Sequence, residues 1–184
     1  MMTHEITIMN EIHHHDSDFK LKFLGYGEWV EEPDSVIFTY RDFACNIIRI
    51  ILREPYSDEE AYFGGHLCGY VAIPPTHFLY EKDYDKGDDL NFIECHGGIT
   101  FSEFSAQNKW LIGFDCGHSG DYVPTMEMIK KQSKFSHLIR VPDYIRNSVL
   151  FNPTYKNIQY CIDECRSMVD QIIEKSESLS NENK

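Results

Sequence analysis

Eight apolar residues near the C-terminus, Ile158, Cys161, Ile162, Cys165, Met168, Val169, Ile172 and Ile173, recur at helical spacing. Such a stripe demands a helix with one buried face. Asn152-Pro153-Thr154 precedes it with capping side chains and a proline suited to a first turn. One helix cannot bury its own stripe, so the rest of the chain must supply a surface for it. That surface reads as β-structure. Val36 to Tyr40 is β-branched and aromatic, and Phe43 to Leu52 is a longer apolar run in which β-branching favours a strand. His66 to Ile73 forms a further strand, ended by Pro74-Pro75. Asn91 to His96 and Ile99 to Phe104 are predicted as two strands of a hairpin turning at Gly97-Gly98, with Trp110 to Asp115 next. Strands first and one long helix last predict an α+β fold: a mostly antiparallel sheet of short strands packed by the C-terminal helix.

Around this frame, Phe19 to Gly25 alternates loosely as a strand would, and Thr125 to Gln132 suggests one short helix. The polar segment 1–19 is expected to be mobile, 20–175 to form a single globular domain, and 176–184 to be a frayed polar tail. A chain of 184 residues suits one domain, and 42% hydrophobic content excludes wholesale disorder.

The net charge of −13 repels phosphate backbones and anionic lipid heads, which argues against long nucleic acid or a membrane as partner. A small anionic ligand stays compatible, because a pocket can invert the field locally with backbone N–H groups and a few cations. Self-association is left open. No run reaches the roughly 20 apolar residues of a membrane helix, and the opening residues lack the basic and apolar regions of a secretory signal. The six cysteines include no Cys-x-x-Cys pair, so they read as reduced and mostly buried. His13-His14-His15 can scavenge a metal ion, but an exposed tail explains them equally well.

Reactive residue types concentrate between Glu94 and Asp121. Two apolar runs each end in ionisable residues beside glycines: His96-Gly97-Gly98-Ile99-Thr100, and Asp115-Cys116-Gly117-His118-Ser119-Gly120-Asp121. Glycines let a backbone turn sharply and approach a ligand closely, and loops on a rigid sheet are where reactive groups are usually set. If the two runs are neighbours, His96, Asp115 and His118 converge. Three chemistries use such a set. A metal site would take His96, Asp115 and His118 with Asp121. Metal-free phosphoryl chemistry would use His96 and His118 as acid and base, with Asp115 or Asp121 orienting a histidine. Thr100 and the amides of Gly97 and Gly98 would then hold a phosphate. A pure binding pocket would use the same groups without turnover. The bland alternative is that Asp115 caps a turn and each histidine is hydrogen-bonded within the fold. No spacing here matches a metal signature, so no cofactor is expected, with a metal at His96, Asp115 and His118 as the competing reading.

Fainter candidates lie elsewhere. His77 and Tyr80 follow a strand and can join the pocket. Arg49 is a cation inside an apolar run and needs an anionic partner, an internal carboxylate by preference or a ligand phosphate. Cys116 beside His118 lacks any legible oxyanion arrangement and reads as a buried thiol.

These residues carry a resemblance. Cys45-Asn46-Ile47-Ile48-Arg49, Gly69-Tyr70-Val71, His77-Phe78-Leu79-Tyr80, His96 to Thr100, Gly113 to Asp121 and Tyr155 to Cys165 resemble motifs of a family of small phage and prophage proteins. That family is marked by His-Gly-Gly-x-Thr and Gly-Phe-Asp-Cys-x-His-x-Gly-Asp. The likeness spans about Phe43 to Ile173 and departs at Phe78, where the family often has proline. It implies a phage or prophage origin and a cytoplasmic setting in a bacterial host, and it supplies no activity. Small acidic phage proteins with polar pockets include anti-defence proteins that cleave or sequester nucleotide signals. The expected function is therefore a pocket protein acting on a small phosphorylated or nucleotide ligand, a hydrolase or phosphodiesterase working through histidine acid–base chemistry. A sequestering module without turnover and an acidic inhibitor of a host protein are the alternatives.

Overall fold

The computed structural model describes residues 5–55, 60–87, 89–126 and 153–182. Six strands make one sheet: β1 (Thr7–Ile12), β2 (Ser35–Tyr40), β3 (Phe43–Arg53), β4 (Tyr62–Ile73), β5 (Phe101–Phe104) and β6 (Trp110–Asp115). Their spatial order is β1-β2-β3-β4-β6-β5, with every neighbouring pair antiparallel. Helix α1 (Ser17–Leu24) and a 3₁₀ turn (Glu28–Val30) lie between β1 and β2, and α2 (Ile158–Glu182) closes the chain. The α+β expectation holds, with the long C-terminal helix packed on the sheet.

Alternation builds the core. Val36, Phe38 and Tyr40 of β2, Cys45 and Ile47 of β3, Leu67, Val71 and Ile73 of β4, and Ile112 and Phe114 of β6 are all buried in one cluster. The α2 stripe of Cys161, Ile162, Cys165, Met168, Val169 and Ile172 completes that cluster. Gly69 sets how closely the helix approaches. A Cβ there would lie 2.5 Å from the Phe114 ring and 2.9 Å from Cys165 Sγ, so a side chain would push α2 off the sheet. All six cysteines are free thiols. Burial raises Cys45 and Cys95 to about 12, and Cys116 is raised further, first by its hydrogen bond to Cys161. None of these is a nucleophile near neutral pH.

Several expectations change. The 1–19 segment, expected to be mobile, supplies edge strand β1 and the start of α1; β1 is exposed along nearly its whole length, so no apolar alternation betrays it. Phe19 to Gly25 is helical rather than extended, started by Asp16, whose side chain accepts the Phe19 N–H. The 91–96 segment is a turn-rich loop, not a strand, so Gly97-Gly98 closes no hairpin. The tail 176–184 is helical as far as Glu182. Most of the short helix expected over 125–132 falls outside the described residues.

Arg49 proves structural. Its side chain is fully buried and donates from Nε to Asp34 Oδ1 (3.2 Å), from one terminal nitrogen to Glu32 Oε2 (2.8 Å), and from the other to Gly65 O and Tyr155 OH (3.0 and 2.7 Å). Lys20, equally buried, reaches Asp34 Oδ1 at 3.2 Å. The internal carboxylate partners expected for Arg49 are present, and no donor is left over for a ligand phosphate.

Two predictions follow from this packing. Val169→Asp, at a fully buried position, should unfold the domain, because an unpaired buried charge costs several kcal/mol; an unchanged melting temperature would show that α2 docks otherwise. Asp34 titrates below its ordinary 3.8: burial alone would raise it, but the His15 N–H and the charges of Lys20 and Arg49 outweigh that. Ionised Asp34 therefore stabilises the fold fully above that ordinary value, and the contribution fades as pH falls through the lower folded-state value. Thermal melts from neutral to acidic pH should show a shallower acid loss in Asp34→Asn than in wild type.

Candidate functional site

The end of β6 and the loop beyond it run past β4, where Cys68 pairs with Asp115 and the Cys116 N–H donates to Leu67 O at 2.9 Å. Asp115 is pinned from two sides. Its Oδ2 accepts the Thr100 hydroxyl (2.9 Å) and its Oδ1 accepts the Gly117 N–H (2.9 Å). Burial opposes its ionisation, yet those two hydrogen bonds, aided by His118 and His66, hold the carboxyl below its ordinary range. The next turn folds on itself: Asp121 N–H donates to His118 O (3.0 Å), and the His118 N–H donates to Asp121 Oδ2 (2.9 Å). Thr154, just ahead of α2, clamps this turn by exchanging backbone bonds with Gly120 and Tyr122.

The other wall is the 94–98 loop, which α2 holds by side chains. Gln171 bonds both the N–H and the carbonyl of Glu94, at 2.7 and 2.8 Å, and Glu164 Oε2 accepts the His96 N–H at 2.7 Å. His96 is thereby brought between two partners: Nδ1 lies 3.0 Å from Tyr160 OH, and Nε2 lies 2.8 Å from Asp121 Oδ2. The His96 and His118 rings meet edge to face, 5.6 Å apart. His118 Nδ1 is out of solvent and bonded to nothing among the described residues; it stands 3.7 Å from both Asp115 Oδ1 and Asp121 Oδ2.

Gly97 explains why the motif needs glycine. It has φ +67°, and a Cβ there would lie 2.3–2.7 Å from three atoms of the His118 ring. The imidazole rests against bare backbone. Gly98 also has positive φ (+85°) but nothing within 4 Å of its missing Cβ.

The structure thus brings His96, His118, Asp115, Asp121, Thr100 and Gly97 together. Thr100 has a different task from the one expected: its only proton goes to Asp115, so it orients a carboxylate and has none left for phosphate. His77 lies elsewhere, with Nε2 3.0 Å from Ser176 Oγ and Nδ1 accepting the Leu79 N–H. Ser176 is twelve residues beyond Glu164, roughly 18 Å along the helix axis. Tyr80 packs against the core with its ring edge-on to Phe104. Neither joins the site.

Three residues were given no part in the site from the sequence, although Tyr160 and Glu164 fall within the Tyr155 to Cys165 motif. His66, on β4, lies beside Gly117, whose Cβ position is 3.3 Å from His66 Nε2. Burial lowers its pKa, the charges of Asp115 and Asp121 resist, and its Nδ1 is buried without a partner among the described residues. Gly64-Gly65-His66 repeats the glycine–histidine juxtaposition of the other two motifs, a signal that was present. Tyr160 and Glu164 are one turn apart on α2, flanking the apolar stripe. Burial, and then the charge of and a hydrogen bond to Glu164, push Tyr160 up to about 12.

A cavity of about 750 Å³ is lined by Tyr26, Trp29, Tyr122 and Tyr155 with Glu28, Glu31 and Glu32, and by none of the residues of this cluster. Trp29 stacks on Tyr122 at 5.4 Å, and Tyr122 follows Asp121 directly in the chain. No helix among the described residues is long and apolar enough to cross a membrane. No family model, curated protein or solved structure matches the chain.

Gly97→Ala and Gly98→Ala should each cost about 1–2 kcal/mol for a left-handed non-glycine residue. Only Gly97→Ala should displace His118. Imidazole NMR spectra of the two variants check this, and equal perturbation of His118 in both would contradict it.

Proposed function

We propose that the chain hydrolyses a small phosphorylated or nucleotide ligand at the His96–His118 cluster. The reading is carried by one observation: both imidazoles face the same carboxylate oxygen, Asp121 Oδ2, at 2.8 and 3.7 Å, while 16% and 33% of their side chains stay accessible. Two histidines so placed can divide acid and base roles in a displacement at phosphorus. The more exposed His118 exchanges protons with the ligand. His96, held by Tyr160 and Asp121, is its partner.

The neighbouring cavity supports a nucleotide over a bare phosphate. Its aromatic walls suit a base, and the exposed Glu28 and Glu31 suit the amino groups on a base edge. In keeping with the resemblance to phage proteins, the proposed substrate is a host nucleotide signal and the proposed role is antagonism of host defence.

The test is incubation with a panel of cyclic and linear nucleotides, followed by chromatography before and after heat denaturation. New products are expected, and His118→Ala should slow their formation by about 100-fold or more at an unchanged melting temperature. Nucleotide released intact by heat would mean sequestration, and no interaction with any nucleotide would remove the ligand class.

A further inference from the structure

Four of the loop amides are already engaged. Those of Gly98, Gly117, His118 and Asp121 donate within the protein, to Cys95 O, Asp115 Oδ1, Asp121 Oδ2 and His118 O. Two carboxylates meanwhile face the cluster. An anionic ligand entering here meets net negative charge unless a cation intervenes.

His118 leads to the same point. Its Nδ1 is out of solvent, stands 3.7 Å from two carboxylate oxygens, too far to hydrogen-bond, and has no other partner among the described residues. His96 turns its Nε2 to the same Asp121 oxygen at 2.8 Å, so two imidazole nitrogens and one carboxylate oxygen converge.

We propose that His96 Nε2, His118 Nδ1 and Asp121 Oδ2 bind one divalent first-row transition ion, leaving further coordination positions open to water or a ligand oxygen. The three residues each offer a ligand atom, all within 4.8 Å of one another. Ligands about 2.0–2.2 Å from a zinc ion stand roughly 3–3.6 Å apart, so the observed 2.8 and 3.7 Å bracket that spacing. Two imidazoles and one carboxylate suit zinc or iron(II), whereas magnesium and calcium prefer all-oxygen sites. The second shell is in place as well. Tyr160 fixes the His96 ring by its far nitrogen, and the His118 N–H fixes the Asp121 carboxylate.

This site deepens the hydrolase reading and rests on it for its purpose: the ion would supply the positive charge a phosphate needs there, and with it bound the two imidazoles would serve as ligands in place of the acid and base roles. Its existence can be tested apart from turnover. Chelator-stripped full-length protein, carrying His13→Ala and His14→Ala to silence the N-terminal histidines, is titrated with Zn²⁺ by calorimetry and with Co²⁺ by visible absorption. One ion per chain, a d–d band and a zinc-dependent rise in melting temperature are expected. His118→Ala and Asp121→Asn should each lose at least about tenfold in affinity, with His118→Gln as the substitute if the alanine variant fails to fold. Magnesium should bind far more weakly than zinc. Absence of zinc binding, or equal affinity in the folded variants, would overturn the site. Zinc binding without nucleotide hydrolysis upholds the site and removes the hydrolase; hydrolysis that persists in chelator without zinc binding does the reverse.

Discussion

Helix α2 can rest on this sheet because Gly69 has no side chain. The Phe114 ring and Cys165 Sγ occupy the space where a Cβ would go, and that contact fixes the height of the helix over β4. Much else follows from that height. The apolar stripe closes the core, Tyr155 ahead of the helix reaches Arg49, and the polar flank of the helix reaches the 94–98 loop. The helix that buries the core is therefore also the element that orients His96. Packing and site geometry are one structural decision, and a substitution that lifts α2 should affect both.

Two polar assemblies show how differently buried charge can be used. Around Arg49, three guanidinium nitrogens meet Asp34, Glu32, Gly65 O and Tyr155, and Lys20 adds a second cation. Every strong donor there has an acceptor, which is what a structural cluster requires. Around Asp121 the account does not close: His118 Nδ1 and His66 Nδ1 are buried without partners among the described residues. Polar groups left in such a state cost stability. One cluster is satisfied among the described residues and the other is not, and the proposed ion would complete the second.

Elements with a strong apolar period were legible in the sequence. The α2 stripe and strands β2, β3 and β6 emerge close to their read bounds because each buries a regular face. Edge strand β1 did not, since nearly all its residues are exposed and β2 is its one sheet neighbour among the described residues. The 91–96 segment looked like a strand, yet its backbone is held by Gln171 and Glu164 from 77 and 68 residues away; such tertiary bonds leave no local pattern. The site was half legible. Glycine-flanked histidines and aspartates marked His96, His118, Asp115 and Asp121, but Tyr160 and Glu164, though inside the Tyr155 to Cys165 motif, were given no role because the helix was read as a packing element. His66 was passed over as part of a strand.

The claim on which the rest turns is that His96 Nε2, His118 Nδ1 and Asp121 Oδ2 converge on one ion. Nitrogen-15 NMR of the imidazole side chains, recorded before and after one equivalent of Zn²⁺, measures this directly. The account predicts that the His96 Nε2 and His118 Nδ1 signals shift together and saturate at one ion per chain. Signals of both nitrogens that stay in place with zinc in excess would contradict it.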